Sequence, residues 1–373
     1  MSYREPSHAG SWYEDDEERL DQQLTNWLSI AKPERLPKPP HSVIEVDVTG
    51  LSSKVQYDEN IQIPVPGLKA IIAPHAGYSY SGKAAAWAYK CIDPTAYDTV
   101  FILGPSHHFY VDGCMLTKCK EYGTPIGDLS VDQSIIQELR ETGKFDGFMS
   151  RQVDEDEHSI EMHLPYIRKV FENQNIKIVP ILVGSISDSK ENSFGKLLAP
   201  YLKRRKTLFV ISSDFCHWGS RFRYTHYQAN LEEDIQHLKS TNSISINNPP
   251  IHASIRALDG QAIQELTFPT SLPTPEACDF TGIPNTDLPT SLDSSDIRTA
   301  QETQKDFSSY LKSTNNTICG RHPIGVLLGA LAQLEKEGQE SQLRFTRYEQ
   351  SSKCISPRDS SVSYASAFVR FES

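Results

Sequence analysis

Four short apolar segments, each followed by a polar loop and then by an amphipathic stretch, place the strongest limit on what this chain can fold into. They cover residues 68–73, 99–103, 176–183 and 207–212. Apolar runs of this length are typical of strands buried on both faces, and their alternation with helical patterns is typical of parallel sheets. The sequence therefore predicts the α/β class, with a mixed, mainly parallel sheet covered by helices on both faces.

Other segments show the periodicity of single helices or strands. Leucines four residues apart predict an N-terminal helix over 15–31, and later patterns predict helices over 305–312 and 320–334. Alternation of small or polar with apolar residues predicts a final strand over 361–369. We expect these elements to join the repeated unit in one domain that spans residues 1–373.

Two segments interrupt this pattern and are interpreted as insertions. Residues 32–69 contain six prolines and no sustained period, which indicates an inserted loop. Residues 268–304 contain five prolines, eleven serines or threonines, and six acidic residues against one arginine. Such a composition buries too little apolar surface to offset the entropy of ordering the chain. We therefore predict a disordered insertion there.

Charge and apolar content limit the partners and the compartment. The chain has 37 basic and 48 acidic residues, a formal net charge of −11, so the basic surface of a nucleic-acid binder is not expected. No apolar run reaches the ~20 residues that span a bilayer, and the N-terminus lacks the apolar core of a signal peptide. Seven cysteines without a CxxC motif fit free thiols. We expect a cytoplasmic or nuclear protein without membrane insertion.

Histidines follow three of the four predicted strands. His75 follows the first, His107 and His108 follow the second, and Asp214 with His217 follow the fourth. Since ligands bind beyond the carboxyl ends of parallel strands, these residues predict a metal or general-base site. Asp214 either orients the imidazole of His217, three residues away, or caps a helix.

Cys319 begins the late apolar helix and is followed by Gly320, Arg321 and His322. A helix N-terminus and neighbouring positive charge favour the thiolate, so the residue is a nucleophile, a metal ligand or an inert buried thiol. Imidazole and thiolate together suit iron, copper or zinc, and the histidines at the strand ends strengthen the ligand reading.

Two further segments supply candidates for the walls of the site. His158 and Glu161 lie one helical turn apart after a run of four acidic residues, which we interpret as charges in the first turn of a helix. Trp12 lies in an aromatic segment over 7–13 that forms either a binding lip or an arm packed by its rings.

Long runs of this sequence resemble the MEMO family (mediator of ErbB2-driven cell motility). The matching runs are SHAGSWY at 7–13, IIAPHAGYSYSG at 71–82, FILGPSHH at 101–108, DEDEHSIEMHLPY at 154–166, SSDFCHWGSRFRY at 212–224, TICGRHPIG at 317–325 and DSSVSYA at 359–365.

The resemblance implies a fold similar to the LigB-like class III extradiol dioxygenases and a site for iron(II) or copper. Carried over by motif, the metal ligands are His75, His107 and Cys319, with Asp214 and His217 in the same pocket. Because a thiolate stands where those dioxygenases have a carboxylate, the resemblance implies redox chemistry rather than ring cleavage. It also implies phosphotyrosine-peptide binding in signalling linked to the cytoskeleton.

Three functional hypotheses follow. In the first, the chain is a metal-dependent redox protein in which His217 is an acid/base or extra ligand and Asp214 orients it. In the second, it is a binding module whose cleft receives a phosphotyrosine or another anionic peptide through Trp12, Tyr80 and His217. In the third, it is a hydrolase with Cys319 as nucleophile and His217 as base.

Overall fold

The predicted α/β class is confirmed. The computed structural model describes residues 2–31, 62–230, 233–245, 247–268 and 298–372. Within this part of the chain, a mixed, mostly parallel sheet of eleven strands forms the centre, and helices pack against it.

The strands of the described residues are β1 (Tyr3–Arg4), β2 (Leu68–Ala73), β3 (Thr99–Pro105), β4 (Cys114–Leu116), β5 (Glu121–Tyr122), β6 (Leu129–Val131), β7 (Lys177–Val183), β8 (Thr207–Ser212), β9 (Asp214–Trp218), β10 (His226–Tyr227), β11 (Gln236–His237), β12 (Ser341–Gln350) and β13 (Ser361–Phe371).

The helices are α1 (Glu17–Ile30), α2 (Tyr78–Tyr89), α3 (Gln133–Glu141), α4 (Arg151–Asp156), α5 (His158–Glu161), α6 (Leu164–Val170), α7 (Asp188–Lys203), α8 (Ile251–Leu266), α9 (Ala300–Thr314) and α10 (Arg321–Lys336).

The sheet runs in the order β1-β5-β6-β7-β3-β8-β2-β13-β12, with β4 on β7 and β9 on β13. Five neighbours, from β6 to β2, are parallel, while β13 pairs antiparallel with β2, β9 and β12. The carboxyl ends of β3, β8 and β2 therefore lie side by side at one edge. The loops after β2 and β3 carry His75 and His107, and His217 lies in β9, which follows β8.

The central strands are covered on both faces. Every residue of β2, β3 and β8 is buried, and successive side chains of a strand point to opposite faces. Helix α2 packs on β2, β12 and β13, whereas α7 and α10 pack on each other and on β8. Continuous apolar sequence in these strands is what such two-sided burial requires.

The predicted insertions have different ends in the structure. Leu68 and Lys69 belong to β2, so the first insertion ends earlier than predicted, and residues 32–61 lie outside the described residues. The predicted disordered segment also includes residues 300–304, which form the start of α9.

A capping box explains the second difference. Thr299 accepts a hydrogen bond from the backbone N–H of Glu302, and the Glu302 side chain accepts one from the backbone N–H of Thr299. The start of α9 was not predicted because the polar composition of the whole segment indicated disorder. Residues 269–297 of the predicted insertion lie outside the described residues.

Several short strands were not predicted, and neither were two long elements, α8 and β12. The helix α8 contains Asp259 and Gly260, a pair typical of turns, yet its buried face holds it against β9 and α9. No helix of the described residues is long and apolar enough to span a membrane. The six cysteines in this part of the chain are free thiols, as expected.

Candidate metal centre

Three imidazoles meet where the loops after β2 and β3 approach helix α5. One nitrogen of each of His75, His107 and His158 can be chosen so that the three atoms lie within 4.8 Å of one another. His75 and His158 are buried, and His107 is the more exposed of the three. Imidazole nitrogens at this spacing form a group that can hold a metal ion.

His75 is fixed by a chain of hydrogen bonds behind the cluster. Its Nδ1 lies 2.6 Å from Oγ of Ser212, and this hydroxyl donates its own hydrogen to the carbonyl oxygen of Ser159 at 2.7 Å. Since the hydroxyl proton is used, Nδ1–H of His75 is the donor, and Nε2 keeps its lone pair. Burial, aided by the neighbouring histidines, holds the pKa of His75 well below its usual value, so the ring is neutral.

His107 is oriented by a carboxylate in the same way. Oε1 of Glu157 lies 2.9 Å from Nδ1 of His107, and Oε2 accepts the backbone N–H of His107 at 2.6 Å. Burial raises the pKa of Glu157, but these hydrogen bonds outweigh it and lower the pKa to about 2. The ionised carboxylate accepts Nδ1–H and leaves Nε2 as the ligand atom.

His158 closes the cluster from helix α5. Its ring stacks on that of His107 with centroids 4.4 Å apart, and the Trp12 ring lies 4.4 Å from it. Nδ1 of His158 is buried without a hydrogen-bond partner in the described part of the chain. Burial and the neighbouring His107 lower the pKa of His158 to about 3. A buried, neutral imidazole with an unpartnered nitrogen fits a ligand role.

Cys319 joins the cluster on the His75 side. Its Sγ lies 3.1 Å from Nε2 of His75, and the backbone N–H of Asp214 donates to Sγ at 3.3 Å. The expected thiolate is wrong for the metal-free site, because burial and the nearby Asp214 raise the pKa of Cys319 well above its usual value. The cations expected to lower it are directed elsewhere: His322 pairs with Glu191, and Arg321 is exposed.

Asp214 lies beneath His75 rather than beside His217. Its Oδ1 accepts the backbone N–H of His75 at 2.8 Å and that of Ala76 at 3.3 Å. Both expected roles of Asp214 are therefore wrong, since it neither caps a helix nor orients His217. The two residues belong to strand β9 and not to a helical turn, so three-residue spacing directs them to opposite faces. Burial raises the pKa of Asp214 to about 7.

His217 is held by the loop that leads to Cys319. Its Nδ1 lies 2.9 Å from the carbonyl oxygen of Phe215 and 3.2 Å from that of Thr317. Carbonyl oxygens only accept, so Nδ1 carries the proton and Nε2 is the free atom. Burial lowers the pKa of His217, and these hydrogen bonds partly offset it.

The two predicted aromatic residues differ in position. Trp12 is 36% exposed and covers His158, which brings it into the wall of the site. Tyr80 lies in the first turn of α2 and is 61% exposed, so it remains at the surface.

The buried carboxylate of Glu161 is one of the groups that hold the N-terminal segment against the site. Glu161 accepts hydrogen bonds from the backbone N–H of His8 at 2.9 Å and from the Tyr13 hydroxyl at 2.8 Å. Its Oε2 lies 2.8 Å from Nδ1 of His8 and from Nη1 of Arg4. Burial raises the pKa of Glu161, but the contacts with His8 and Arg4 lower it to about 2. The segment that carries Trp12 is thereby fixed.

Sequence reasoning missed the residues that orient the imidazoles. Glu157 was counted among four helix charges, although its place directly before His158 was an available signal. Ser212 is the last residue of β8, and only its tertiary contact with His75 shows its role. Arg4 is fully buried between Asp154 and Glu161, a position that no local pattern indicates.

The donor set suits a transition metal. His75 and His107 each present Nε2 because Nδ1 is hydrogen-bonded, and Cys319 lies against His75. Imidazole and sulfur ligands fit iron, copper and zinc better than magnesium or calcium, which prefer oxygen ligands. The residues present therefore fit the expected metal class.

Comparison with known proteins gives a consistent result. The family model described as "Memo-like protein" matches residues 4–368. Protein MEMO1 of Xenopus laevis is 43% identical over 366 residues, covering 97% of this chain and 95% of the relative. Protein MEMO1 of Homo sapiens is 42% identical over 366 residues with the same coverage. The memo-1 homolog of Caenorhabditis elegans is 38% identical over 98% of this chain and 82% of the relative.

A solved structure of an uncharacterized protein from Escherichia coli K12 is also similar. It aligns with a TM-score of 0.39 and 13% identity over 80% of this chain and 98% of that chain.

Proposed function

The chain belongs to the Memo-like protein family, and on this premise we propose that it binds one transition-metal ion, iron(II) or copper, for redox chemistry. The proposed ligands are Nε2 of His75, Nε2 of His107 and Sγ of Cys319. His158 is the neighbouring imidazole available to the same ion.

The observation that carries this proposal is the hydrogen bonding of the two strand-end histidines. Ser212 and Glu157 each engage Nδ1, so that His75 and His107 both donate Nδ1–H to an oxygen and both direct Nε2 away from it. The Nε2 atoms of the two rings also meet a third imidazole, that of His158, within the same cluster. Hydrogen bonds from ligating histidines to carboxylates or other acceptors are the usual second layer of a metal site.

The protein residues have separate tasks in this proposal. Cys319 loses its proton when a cation replaces that proton at sulfur, because metal binding requires the thiolate. Asp214 holds the backbone of His75 through two N–H donors and fixes the position of that ligand. His217, with Nε2 free, is the group we assign to proton transfer.

A bound iron or copper ion would supply one-electron redox chemistry at this site. Trp12, on the segment that Glu161 binds, covers the ring of His158 on one side. The thiol ligand makes the site softer than one with two histidines and a carboxylate, so we assign an oxidoreductase-like activity rather than aromatic ring cleavage.

Anaerobic titration of iron(II) and copper(I) into metal-free protein tests this proposal. The parent should bind one equivalent, and His75→Ala or Cys319→Ser should weaken binding by more than about 100-fold, because each removes a ligand atom. His217→Ala should retain metal affinity. His237→Ala is the matched control, since His237 is exposed in β11. Unchanged affinity in both ligand variants would contradict the site assignment.

The exposed aromatic residues Trp12 and Tyr80 support a second function, the binding of a phosphotyrosine or another anionic peptide. Trp12 and Tyr80 are accessible, and Arg221 lies close enough to lower the pKa of His217 by its charge. A phosphotyrosine peptide titrated into metal-free protein tests it, with the unphosphorylated peptide as control. Equal affinity for both peptides would contradict it. With this function we propose a cytoplasmic or nuclear role in signalling to the cytoskeleton.

A further inference from the structure

A buried carboxylate outside the histidine cluster, that of Asp259, has no task in the functions proposed above. It lies in the middle of α8, directly before Gly260, and is fully buried. Aspartate and glycine are both poorer helix formers than alanine or leucine, and an apolar side chain would fill a buried helix face without desolvating a charge. The presence of Asp259 is therefore explained by the groups that its carboxylate contacts.

The carboxylate of Asp259 accepts hydrogen bonds from neutral donors on three other parts of the fold. Oδ1 accepts the backbone N–H of Cys216 at 3.2 Å and an Nδ2–H of Asn316 at 3.0 Å, whereas Oδ2 accepts the Tyr348 hydroxyl at 2.8 Å. Burial raises the pKa of Asp259 to about 6, and these hydrogen bonds oppose the rise. The ionised form predominates at pH 7, and it can only accept.

The two donors on Oδ1 belong to the two segments that hold His217. Cys216 directly precedes His217 in β9, and Asn316 directly precedes Thr317 in the segment between α9 and α10. One oxygen atom of Asp259 therefore joins these segments, and it does so one residue before the contact between His217 and Thr317.

His217 and Thr317 contact each other at three points. The backbone N–H of His217 donates to Oγ1 of Thr317 at 2.7 Å, and this hydroxyl donates to the carbonyl oxygen of His217 at 3.1 Å. The carbonyl oxygen of Thr317 lies 3.2 Å from Nδ1 of His217. Because a carbonyl oxygen can only accept, this contact and that of Phe215 select the Nδ1–H tautomer. The tautomer of His217 thus depends in part on the position of Thr317.

From these contacts we propose that Asp259 is a positioning residue for His217. Its Oδ1 holds Asn316 against Cys216, which keeps the Thr317 carbonyl opposite Nδ1 of His217 and leaves Nε2 free for proton transfer. His217 has this task under the proposed function, on which the positioning role of Asp259 rests. Asp259 acts on the ring through the two neighbouring segments and not by direct contact with a reacting atom.

A role in core stability alone leads to a different expectation. Tyr348 donates to Oδ2 of the same carboxylate, but it lies in β12, which β13 separates from β9. If the network only stabilises the core, losing the Tyr348 donor and losing the Asn316 donor should affect the His217 ring equally. If Asp259 positions His217, only a loss on the Oδ1 side should alter the ring.

NMR spectra of the imidazole nitrogens in metal-free protein test the positioning role, with the His217 signals assigned from their loss in His217→Gln. Nδ1 of His217 should have the chemical shift of a protonated nitrogen in the parent. Asp259→Leu and Asn316→Ala should each move it toward that of an unprotonated nitrogen, because release of the Thr317 carbonyl populates the Nε2–H tautomer. Asn316→Ala leaves the carboxylate with its other donors, so it gives a result even if Asp259→Leu does not fold.

Tyr348→Phe and Asp259→Asn are the controls. Tyr348→Phe removes a donor from Oδ2, so it should lower the free energy of unfolding and leave the His217 signals unmoved. Asp259→Asn keeps an oxygen that accepts from Cys216 and Asn316, while its NH₂ group can donate to the Tyr348 oxygen, so it should retain the parent signals. Urea denaturation gives the loss of stability in each variant for comparison with the shift of the ring signals.

Unmoved His217 signals in Asn316→Ala would overturn the positioning role, whatever Asp259→Leu shows. An equal shift in Tyr348→Phe would overturn it as well, because the effect would then follow the loss of stability. A shift in Asp259→Asn as large as that in Asn316→Ala would overturn the role of Oδ1. The readout uses no metal, so failure of the parent to bind iron or copper would contradict the proposed function and leave this result standing.

Discussion

Two buried glutamates in this protein each contact a histidine, with similar geometry and different surroundings. Oε1 of Glu157 lies 2.9 Å from Nδ1 of His107, and Oε1 of Glu191 lies 2.7 Å from Nδ1 of His322. The first pair turns Nε2 of His107 toward two further imidazoles, while Nε2 of His322 is buried and has no hydrogen-bond partner among the described residues. A carboxylate can therefore orient an imidazole in either place, and only the convergence of other ligands makes a metal site.

The two glutamates also titrate in opposite directions. Glu157 accepts two backbone N–H groups, those of His107 and Ser159, besides the imidazole, and its pKa falls to about 2. For Glu191, burial outweighs the contact with His322 and raises the pKa. The number of donors around each carboxylate decides the sign, as expected when hydrogen bonds compete with desolvation.

The largest expected effect separates the pairs by metal affinity. Glu157→Gln should weaken iron(II) or copper(I) binding by about 10- to 100-fold, because the ligand His107 loses its carboxylate partner. Glu191→Gln should leave that affinity unchanged. Anaerobic titration of both variants measures this, and equal losses in the two would remove the distinction between the pairs.

The next effect concerns pH and a glutamate of the same turn, Glu161. Its pKa is about 2 in the folded protein, below the usual 4.5, so its ionised form stabilises the fold above pH 4.5. That stability, about 3 kcal/mol at most, is lost as the pH falls from 4.5 toward 2. Glu161→Gln should therefore lower the free energy of unfolding at pH 7 and much less at pH 3.

Urea denaturation at the two pH values measures the Glu161 effect. Glu191→Gln supplies the comparison, since a raised pKa means that ionisation of Glu191 costs stability as the pH rises above its unfolded value. Its destabilisation at pH 7 should be smaller than that of Glu161→Gln. A pH-independent loss in Glu161→Gln would show that shape, and not charge, holds the N-terminal segment.

The smallest expected effect concerns the aromatic wall. Trp12→Ala removes the ring that covers His158 but no ligand atom, so metal affinity should change by no more than about threefold. The exposed imidazole should instead become open to water, and its NMR titration should move upward from the pKa of about 3. A loss of affinity as large as that of Glu157→Gln would assign Trp12 a structural role in the site.

The sequence alone predicted two of the three histidines of the cluster. His75 and His107 were predicted because each follows a buried strand by a few residues, and parallel strands bring their ends to one edge. Cys319 was a candidate from the start of an apolar helix, and its assignment as a ligand came from the family resemblance. These signals are local, because the end of a strand and the start of a helix can each be recognised from a few consecutive residues.

The rest of the site depends on tertiary contacts. Glu157 was interpreted as a charge in the first turn of a helix. The residues adjacent to Ser212 and Arg4 in the sequence do not indicate that Ser212 contacts His75 or that Arg4 contacts Glu161. The thiolate form of Cys319 was predicted wrongly for the same reason. Burial raises the pKa of the thiol and outweighs the effect of the helix start, and the degree of burial cannot be predicted from residues adjacent in the sequence. The prediction that Asp214 orients His217 was wrong because both residues lie in strand β9 and not in the helical turn that their spacing was taken to indicate.

X-ray absorption spectroscopy on protein loaded with one equivalent of iron(II) or copper(I) tests the metal centre most directly. The account predicts one sulfur and at least two imidazole nitrogens bound to the metal, and loss of the sulfur contribution in Cys319→Ser. A parent spectrum that contains nitrogen or oxygen ligands without sulfur would contradict it, and would place the ion among His75, His107 and His158 instead.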